Sequence, residues 1–361
     1  MSELLRVEGL SKSFGPIEVL HDVGFSVPTR SIVGLVGENG AGKSTLFNIL
    51  TGLIRPDSGT VYFKGKPFRP RSYKEAFAAG VSRVFQEQAL ILNAPVYENL
   101  LLSQEHRFTR FGQIVDHRAM IRMAEKIVED AGIPIDVRRP AGAYDFSKRQ
   151  AIEIARACVA PRHLMGIEDP LVLLDEPTST LDREDETAFF DLLRRLRSQA
   201  SFIFVSHRLT EVRDISDIIH VMKDGRLTGT LAPDEADEKT LHGLMVGRER
   251  AADYYHLERQ QEAGDRPVVC RVQGLTGPGF RDISFELQQS EILGIGGLLD
   301  SGKSALGKAI AGVQPPLAGS VALNGLPPCR PNIARFVRHG LGYVPAERLV
   351  EGIIPGLGLA L

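Results

Sequence analysis

Cysteine is scarce in this chain: Cys158, Cys270 and Cys329 lie far apart in 361 residues. No disulfide framework and no C-x-x-C metal site can be built at that spacing, so the thiols read as core or surface groups of a reducing compartment. Long apolar runs are missing too. No stretch approaches the roughly 20 residues needed to cross a bilayer, and the first residues lack a basic segment leading into an apolar one. Work at a membrane is therefore expected to pass through a partner. Neither sign of charge dominates, since 43 Lys and Arg face 45 Asp and Glu for a net charge of −2. That balance argues against a nucleic-acid-coating surface. No N-K-x-D segment is present, so guanine-reading chemistry is not expected. The remainder, 43% hydrophobic and 24% charged, is ordinary globular material, long enough for two domains.

Against that plain background one pattern appears twice. Gly37-Glu38-Asn39-Gly40-Ala41-Gly42-Lys43-Ser44-Thr45 satisfies G-x-x-x-x-G-K-[ST], and so does the segment from Gly297 through Gly302 and Lys303 to Ser304. Such a loop follows a strand, expected at Ile32 to Val36 and at Ile292 to Ile295, and opens a helix. Its backbone N–H groups and the positive helix end wrap a polyphosphate. The lysine reaches the β- and γ-phosphates and the serine hydroxyl can hold Mg²⁺. ATP or another nucleoside triphosphate is the implied ligand, at least at the first copy.

The recurrence extends beyond the loop. Lys303 minus Lys43 gives an offset of 260, and at that offset Asp22, Phe25, Gly34, Gly52, Gly59, Val61, Gly65, Pro67 and Gly80 meet identical residues. Two tandem copies are expected: a first domain over 1–235, a charged linker over 236–266, and the N-terminal part of a second, incomplete domain over 267–361. The apolar, uncapped end, Gly356 to Leu361, suggests a truncated product.

Within the first copy, Leu4 to Leu10 and Val19 to Val27 read as an antiparallel portion and Lys43 to Leu53 as the helix behind the loop. Helical spacing follows over Arg118 to Ala131 and Gln150 to Val159. The short apolar runs Leu171 to Leu174 and Phe202 to Val205 suit buried parallel strands. An α/β core with an antiparallel β portion and a helical insertion between Gln86 and about Ala160 is the expected architecture. Pro161 to Pro170 is expected as a surface loop.

A second chemical motif is Leu171-Val172-Leu173-Leu174-Asp175-Glu176. An apolar strand that delivers two acids at its carboxyl end puts Asp175 on the Mg²⁺ shell and leaves Glu176 to polarise an attacking water. Taken alone such a run is as readily a strand end with solvated acids; the upstream phosphate loop favours the chemical reading. Gln86, after the strand Val81 to Phe85, is placed to bridge Mg²⁺ and that water. His207, after Phe202 to Val205, is placed to contact the γ-phosphate. Each alone is an ordinary strand-end residue, and the order behind a phosphate loop is what favours a role.

The whole set resembles the ATP-binding subunit of an ABC transporter, a P-loop NTPase of the ABC-type ATPase class. The resemblance implies that Phe14 stacks on adenine, that residues 37–45 are the Walker A loop, Gln86 the Q-loop, residues 171–176 the Walker B strand, Ser179-Thr180-Leu181-Asp182 the D-loop, with Asp182 near nucleotide, and His207 the switch histidine. Leu244 to Glu249 between the copies, and Tyr343-Val344-Pro345-Ala346-Glu347-Arg348 in the second, resemble the sugar-importing branch for ribose, galactose and xylose. Transmembrane permease subunits are then the direct partners, a periplasmic or extracellular sugar-binding protein an indirect one, and nucleic acid none. The position implied is peripheral, on the cytoplasmic face of the cell membrane.

The chain departs from the family at its signature segment, which caps the γ-phosphate of a facing domain. Gapless alignment back from Glu153-Ile154-Ala155-Arg156 puts Asp145 where a serine belongs, with Ser147 two residues on. Asp145 reads equally as the N-cap of a helix. A facing domain, in a homodimer or elsewhere, would complete the site. Val96 to Leu101, including Tyr97 and Leu101, is expected to form the permease-facing surface. Two other classes stay open: a nucleotide-binding regulator that closes without efficient hydrolysis, and a non-transport ABC ATPase, which would call for basic linkers or zinc-binding cysteines.

Overall fold

The computed structural model describes residues 2–85, 89–110, 114–178, 181, 183–246, 266–297, 301–345 and 351–352. It divides into two compact units, Met1–Tyr254 and Tyr255–Leu361. In the first, a curved antiparallel sheet comes from β1 (Glu3–Phe14), β2 (Ile17–Pro28), β4 (Ser58–Phe63) and β5 (Lys66–Pro67), in the order β2-β1-β4-β5. A six-stranded sheet combines β3 (Ile32–Gly37), β6 (Val81–Val84), β9 (Leu171–Asp175), β10 (Ser201–Val205), β11 (Ile218–Lys223) and β12 (Arg226–Leu231), in the order β12-β11-β3-β10-β9-β6. All its neighbours run parallel except β12, which closes the edge antiparallel to β11. A hairpin of β7 (Thr109–Arg110) and β8 (Ile114–Val115) stands apart from both sheets.

Every residue of β3 is buried, as a near-continuous apolar run in a central parallel strand should be. Its side chains alternate between two cores. Val33 and Leu35 face the antiparallel sheet together with Phe47, whereas Ile32 and Val36 face the helices. Those helices include α3 (Val96–Leu100), α4 (His117–Asp130), α5 (Phe146–Cys158) and α7 (Arg183–Leu196). On α4 the buried residues are Met120, Ala124, Ile127 and Val128, a single stripe at helical spacing. Asp116 caps α4 by accepting the Ala119 N–H, so the helix starts where a side-chain acceptor is available.

Several expectations change here. Pro161 to Pro170 is not all loop: Ala160–Met165 is a short helix, α6, with Pro161 in its first turn and Leu164 buried in the helical core. The charged stretch expected as a linker from 236 opens with α9 (Glu238–Val246), and Ala236 and Leu241 are buried in the first unit's core. Leu244 and Met245 pack partly buried beside Leu241, and these few apolar residues are hidden among surface charges. Tyr97 and Leu101 are core residues rather than a docking face, sealed by α4 and α5.

In the second unit β13 (Val268–Gly277), β14 (Phe280–Gln288) and β15 (Ala318–Leu323) form a sheet in the order β14-β13-β15, the same layout as β2-β1-β4. The backbone also repeats at the offset of 260: Asp22 and Asp282 both have φ 51°, and Gly59 and Gly319 have φ 89° and 90°. The strand expected at Ile292 to Ile295 does not form, and Ile292 is 97% exposed. Its counterpart β3 is held between β10 and β11, and the described residues of this unit include no parallel partner strand. Without ladder partners on either side the segment has nothing to pair with.

Candidate functional site

The phosphate loop leaves β3 at Gly37 and enters α1 (Lys43–Leu50) at Gly42, which has φ 96°. A Cβ there would stand 2.6 Å from Leu20 Cδ2, so only glycine allows the turn and the close approach of the loop to β2. No side chain caps α1, which leaves its first N–H groups for a ligand. In front of them lies a 220 Å³ cavity lined by Val19, Asn39, Gly40, Gly42, Lys43, Ser44, Thr45, Asp175 and Glu176, with Ala41 completing the wall. Lys43 and Asp175, 132 positions apart, thus meet, because β3 and β9 flank β10 in parallel and end at the same edge of the sheet.

Lys43 lies across the loop, its Nζ donating to Gly37 O at 2.6 Å and Glu38 O at 2.9 Å. Burial lowers its pKa from the ordinary lysine range, while Glu176, Asp175 and Glu38 pull the other way. An ammonium has three donors, so one remains for an incoming phosphate oxygen. Opposite it, Glu176 has φ 49°, and its N–H is fixed by Val205 O at 3.0 Å. That left-handed conformation aims the side chain toward His207, whose Nε2 is 2.5 Å from Glu176 Oε1. His207 in turn follows Ser206, whose hydroxyl donates to buried Glu211 at 2.9 Å; Thr178 donates to the same oxygen at 2.5 Å. The segments after β9 and β10 are therefore tied through one carboxylate that no motif singles out.

Asp175 is held from the side. Arg83 Nη2 donates to its Oδ2 at 2.5 Å, and Arg83 Nη1 donates to Asn48 Oδ1 at 2.7 Å. A cation within the short strand β6 was the one legible signal of this pair. Gln86 and Asp182 lie outside the described residues, as do Ser179 and Thr180 of the D-loop. Beyond Gln86, the Ala89 N–H donates to Glu153 Oε1 at 2.5 Å, which joins the end of that loop to α5. Burial raises the Glu153 pKa, with Arg156 and the Ala89 N–H opposing.

Phe14, expected against adenine, ends β1 half exposed and outside the cavity's lining, with Lys12 Nζ 5.6 Å from its ring centre. Asp145 is the N-cap of α5: it accepts the Lys148 N–H at 2.8 Å and pairs with Lys148 Nζ at 2.7 Å. Its pKa is lowered by those bonds against the opposing effect of desolvation, the largest single influence. Ser147 follows in the first turn, and both line a separate 360 Å³ cavity with Asp185. Neither is brought to Lys43. In the second unit Gly302 (φ 83°) opens α10 (Lys303–Ala311), Ser304 follows in its first turn, and Lys303 Nζ donates to Gly297 O, as Lys43 does to Gly37 O. Residues 298–300 of that loop, and Ala346 to Arg348, lie outside the described residues.

For Mg²⁺ the observed donors are hard oxygens, the exposed Ser44 hydroxyl and the Asp175 carboxylate lining one cavity beside the phosphate loop. That set suits a cation that takes most of its ligands from phosphate and water. A glycine loop cradling a cavity in front of two strand-end carboxylates defines a P-loop nucleoside triphosphatase.

Residues 20–179 and 280–356 match the ABC transporter family, and the chain belongs to that family. The ribose import ATP-binding protein of Rubrobacter xylanophilus is 35% identical over 100% of this chain and 70% of its own length. The galactofuranose transporter ATP-binding protein of Escherichia coli strain K12 is 34% identical over 98% of this chain and 69% of its own. Among solved structures, the ADP conformation of an ATP-binding cassette of an ABC transporter is similar with a TM-score of 0.57 at 25% identity, covering 69% of this chain and 100% of that one.

Proposed function

We propose that the chain is the ATP-hydrolysing, energy-coupling subunit of a sugar importer. The observation that carries this is the meeting of Lys43, Ser44, Asp175 and Glu176 around one cavity, in a chain similar along its whole length to ribose import ATP-binding proteins. Triphosphate lies on the N–H groups of the loop, and Lys43 gives its third donor to the β- and γ-phosphate oxygens. Ser44, Asp175 and Gln86 would hold Mg²⁺, which would neutralise phosphate charge when bound. Glu176, oriented by its left-handed backbone and by His207, accepts a hydrogen bond from the attacking water, and His207 passes to the γ-phosphate. Phe14 and Asp182 complete the nucleotide contacts.

Asp145 and Ser147 are read as the signature segment offered to a facing domain, in a homodimer or across a pair. Two tandem domains joined by a linker account for the repeated left-handed positions, and Gly297, Gly302, Lys303 and Ser304 are read as a second nucleotide loop. The partner is a transmembrane permease at the cytoplasmic face of the membrane, fed by a sugar-binding protein outside. Its docking face is the 400 Å³ groove where the exposed Phe85 and Leu102 gather with the half-buried Tyr73 and Phe77. A Leu102→Glu chain is expected to bind ATP normally and fail to co-purify with the permease; retained assembly would move the contact elsewhere. A second reading, closure on ATP without efficient turnover, is favoured by Asp145, whose carboxylate stands where the family has a hydroxyl. Steady-state phosphate release separates the two.

A further inference from the structure

Arg83 is a cation in a strand of the central sheet, and its side chain is 8% exposed. Its guanidinium donates to Asp175 and to Asn48, while Nε has no hydrogen-bond partner among the described residues. The same group lies 5.5 Å from the ring centre of Phe47 and 4.8 Å from that of Phe85. A phosphate loop does not require a buried cation at this place. A guanidinium keeps its charge at any pH the protein meets. One oxygen of Asp175 is therefore committed to Arg83, and a positive charge stands beside the position where a divalent cation would share that carboxylate. Like charges at such range repel, more strongly where water is excluded.

We propose that Arg83 is a positioning residue that holds Asp175 when metal is absent and competes with the divalent cation for it. The pair then sets how much Mg²⁺ nucleotide binding requires. This rests on the reading of Asp175 as the metal carboxylate. Arg83 and Phe85 also line the 400 Å³ groove beside α2 (Tyr73–Ala79). A body seated in that groove touches the ring on which the guanidinium rests, so groove occupancy alters the hold on Asp175.

The test is equilibrium binding of a fluorescent ATP analogue to the whole chain, read by anisotropy across a Mg²⁺ series and in EDTA. Arg83→Gln keeps hydrogen-bonding capacity without the charge. It is expected to lower the half-saturating Mg²⁺ concentration about threefold or more, because one opposing charge is gone. In EDTA it is expected to bind the analogue more weakly than wild type, since a positive charge near the phosphates has been lost. Arg83→Lys returns both readings toward wild type. Phe85→Ala, at an exposed position, shifts the Mg²⁺ requirement the same way by less, and it decides the matter if Arg83→Gln does not fold. An unchanged or raised requirement in folded Arg83→Gln, or no shift in Phe85→Ala when Arg83→Gln is unfolded, overturns the proposal. Asp175→Asn separates the two layers. If it raises the requirement while the Arg83 and Phe85 variants leave it unmoved, only the competition fails; if it changes nothing, the metal reading of Asp175 fails beneath it.

Discussion

Lys43→Ala removes an ammonium from the lining of the cavity, and its cost divides between ligand and fold. Two of the ammonium's donors are spent on Gly37 O and Glu38 O, and burial already opposes the charge. Removing the side chain therefore relieves a desolvation cost while leaving two loop carbonyls with fewer donors, and the two effects oppose each other. The fold should barely notice. With triphosphate the balance differs, since a charge-assisted bond to phosphate contributes about 1.5–3 kcal/mol. At 1.4 kcal/mol per factor of ten, Kd is expected to rise by roughly 10- to 150-fold. Lys43→Met, which keeps the aliphatic stem, should lose as much affinity as Lys43→Ala if charge is the cause. The assay is anisotropy of a fluorescent ATP analogue, because the chain has no tryptophan to report binding, with thermal melts run alongside. Unchanged affinity with an intact melt would refute the reasoning and move the nucleotide away from this loop.

Three further outcomes are expected. His220 is buried between β2 and β12, bonded to Ser26 O and Thr230 Oγ1, and burial lowers its pKa against the Ser26 carbonyl. An unfolded histidine takes up a proton near pH ~6.5, so stability is present above that pH and is lost as pH falls toward the depressed folded value; His220→Gln should flatten the fall in Tm, and an equal slope in both chains would remove His220 as the cause. Leu101→Ala, at a fully buried site, should cost about 2–5 kcal/mol in denaturant unfolding, whereas a loss below 1 kcal/mol would return Leu101 to a surface role. Asp145→Ser retains an N-cap and removes a carboxylate read as facing phosphate, worth about 1 kcal/mol at ~4 Å in water and more when partly buried; phosphate release should rise roughly fivefold or more, and no rise in a folded variant would show that Asp145 faces solvent throughout.

The central features of the site were legible because they are short-range chemistry. Glycines at fixed offsets, a lysine after them, and acids at the end of an apolar run each state their geometry locally, and parallel pairing of β3, β10 and β9 does the rest. What escaped was tertiary. Arg83 and Glu211 matter through partners 92 and 33 positions away, and neither carries a motif. Helix α9 docks on Leu241 amid charge that reads as linker. Ile292 to Ile295 shows the opposite failure: its sequence suits a strand, and its partners decide otherwise. Tyr97 sits on a short helix, capped by Leu101, whose apolar residues all turn inward, while the exposed apolar groove draws on α2 and on Phe85 and Leu102, residues that no single periodicity gathers.

The most direct test of the central claim is steady-state phosphate release by the chain assembled with its permease in vesicles, comparing wild type with Glu176→Gln. Loss of one preorganised catalytic contribution costs ~3–4 kcal/mol, or about 10²- to 10³-fold in rate. The expected result is release in wild type, a drop of that size in Glu176→Gln, and full retention of ATP binding in both. Equal release by the two chains would contradict the assignment of hydrolysis to the cavity of Lys43 and Glu176.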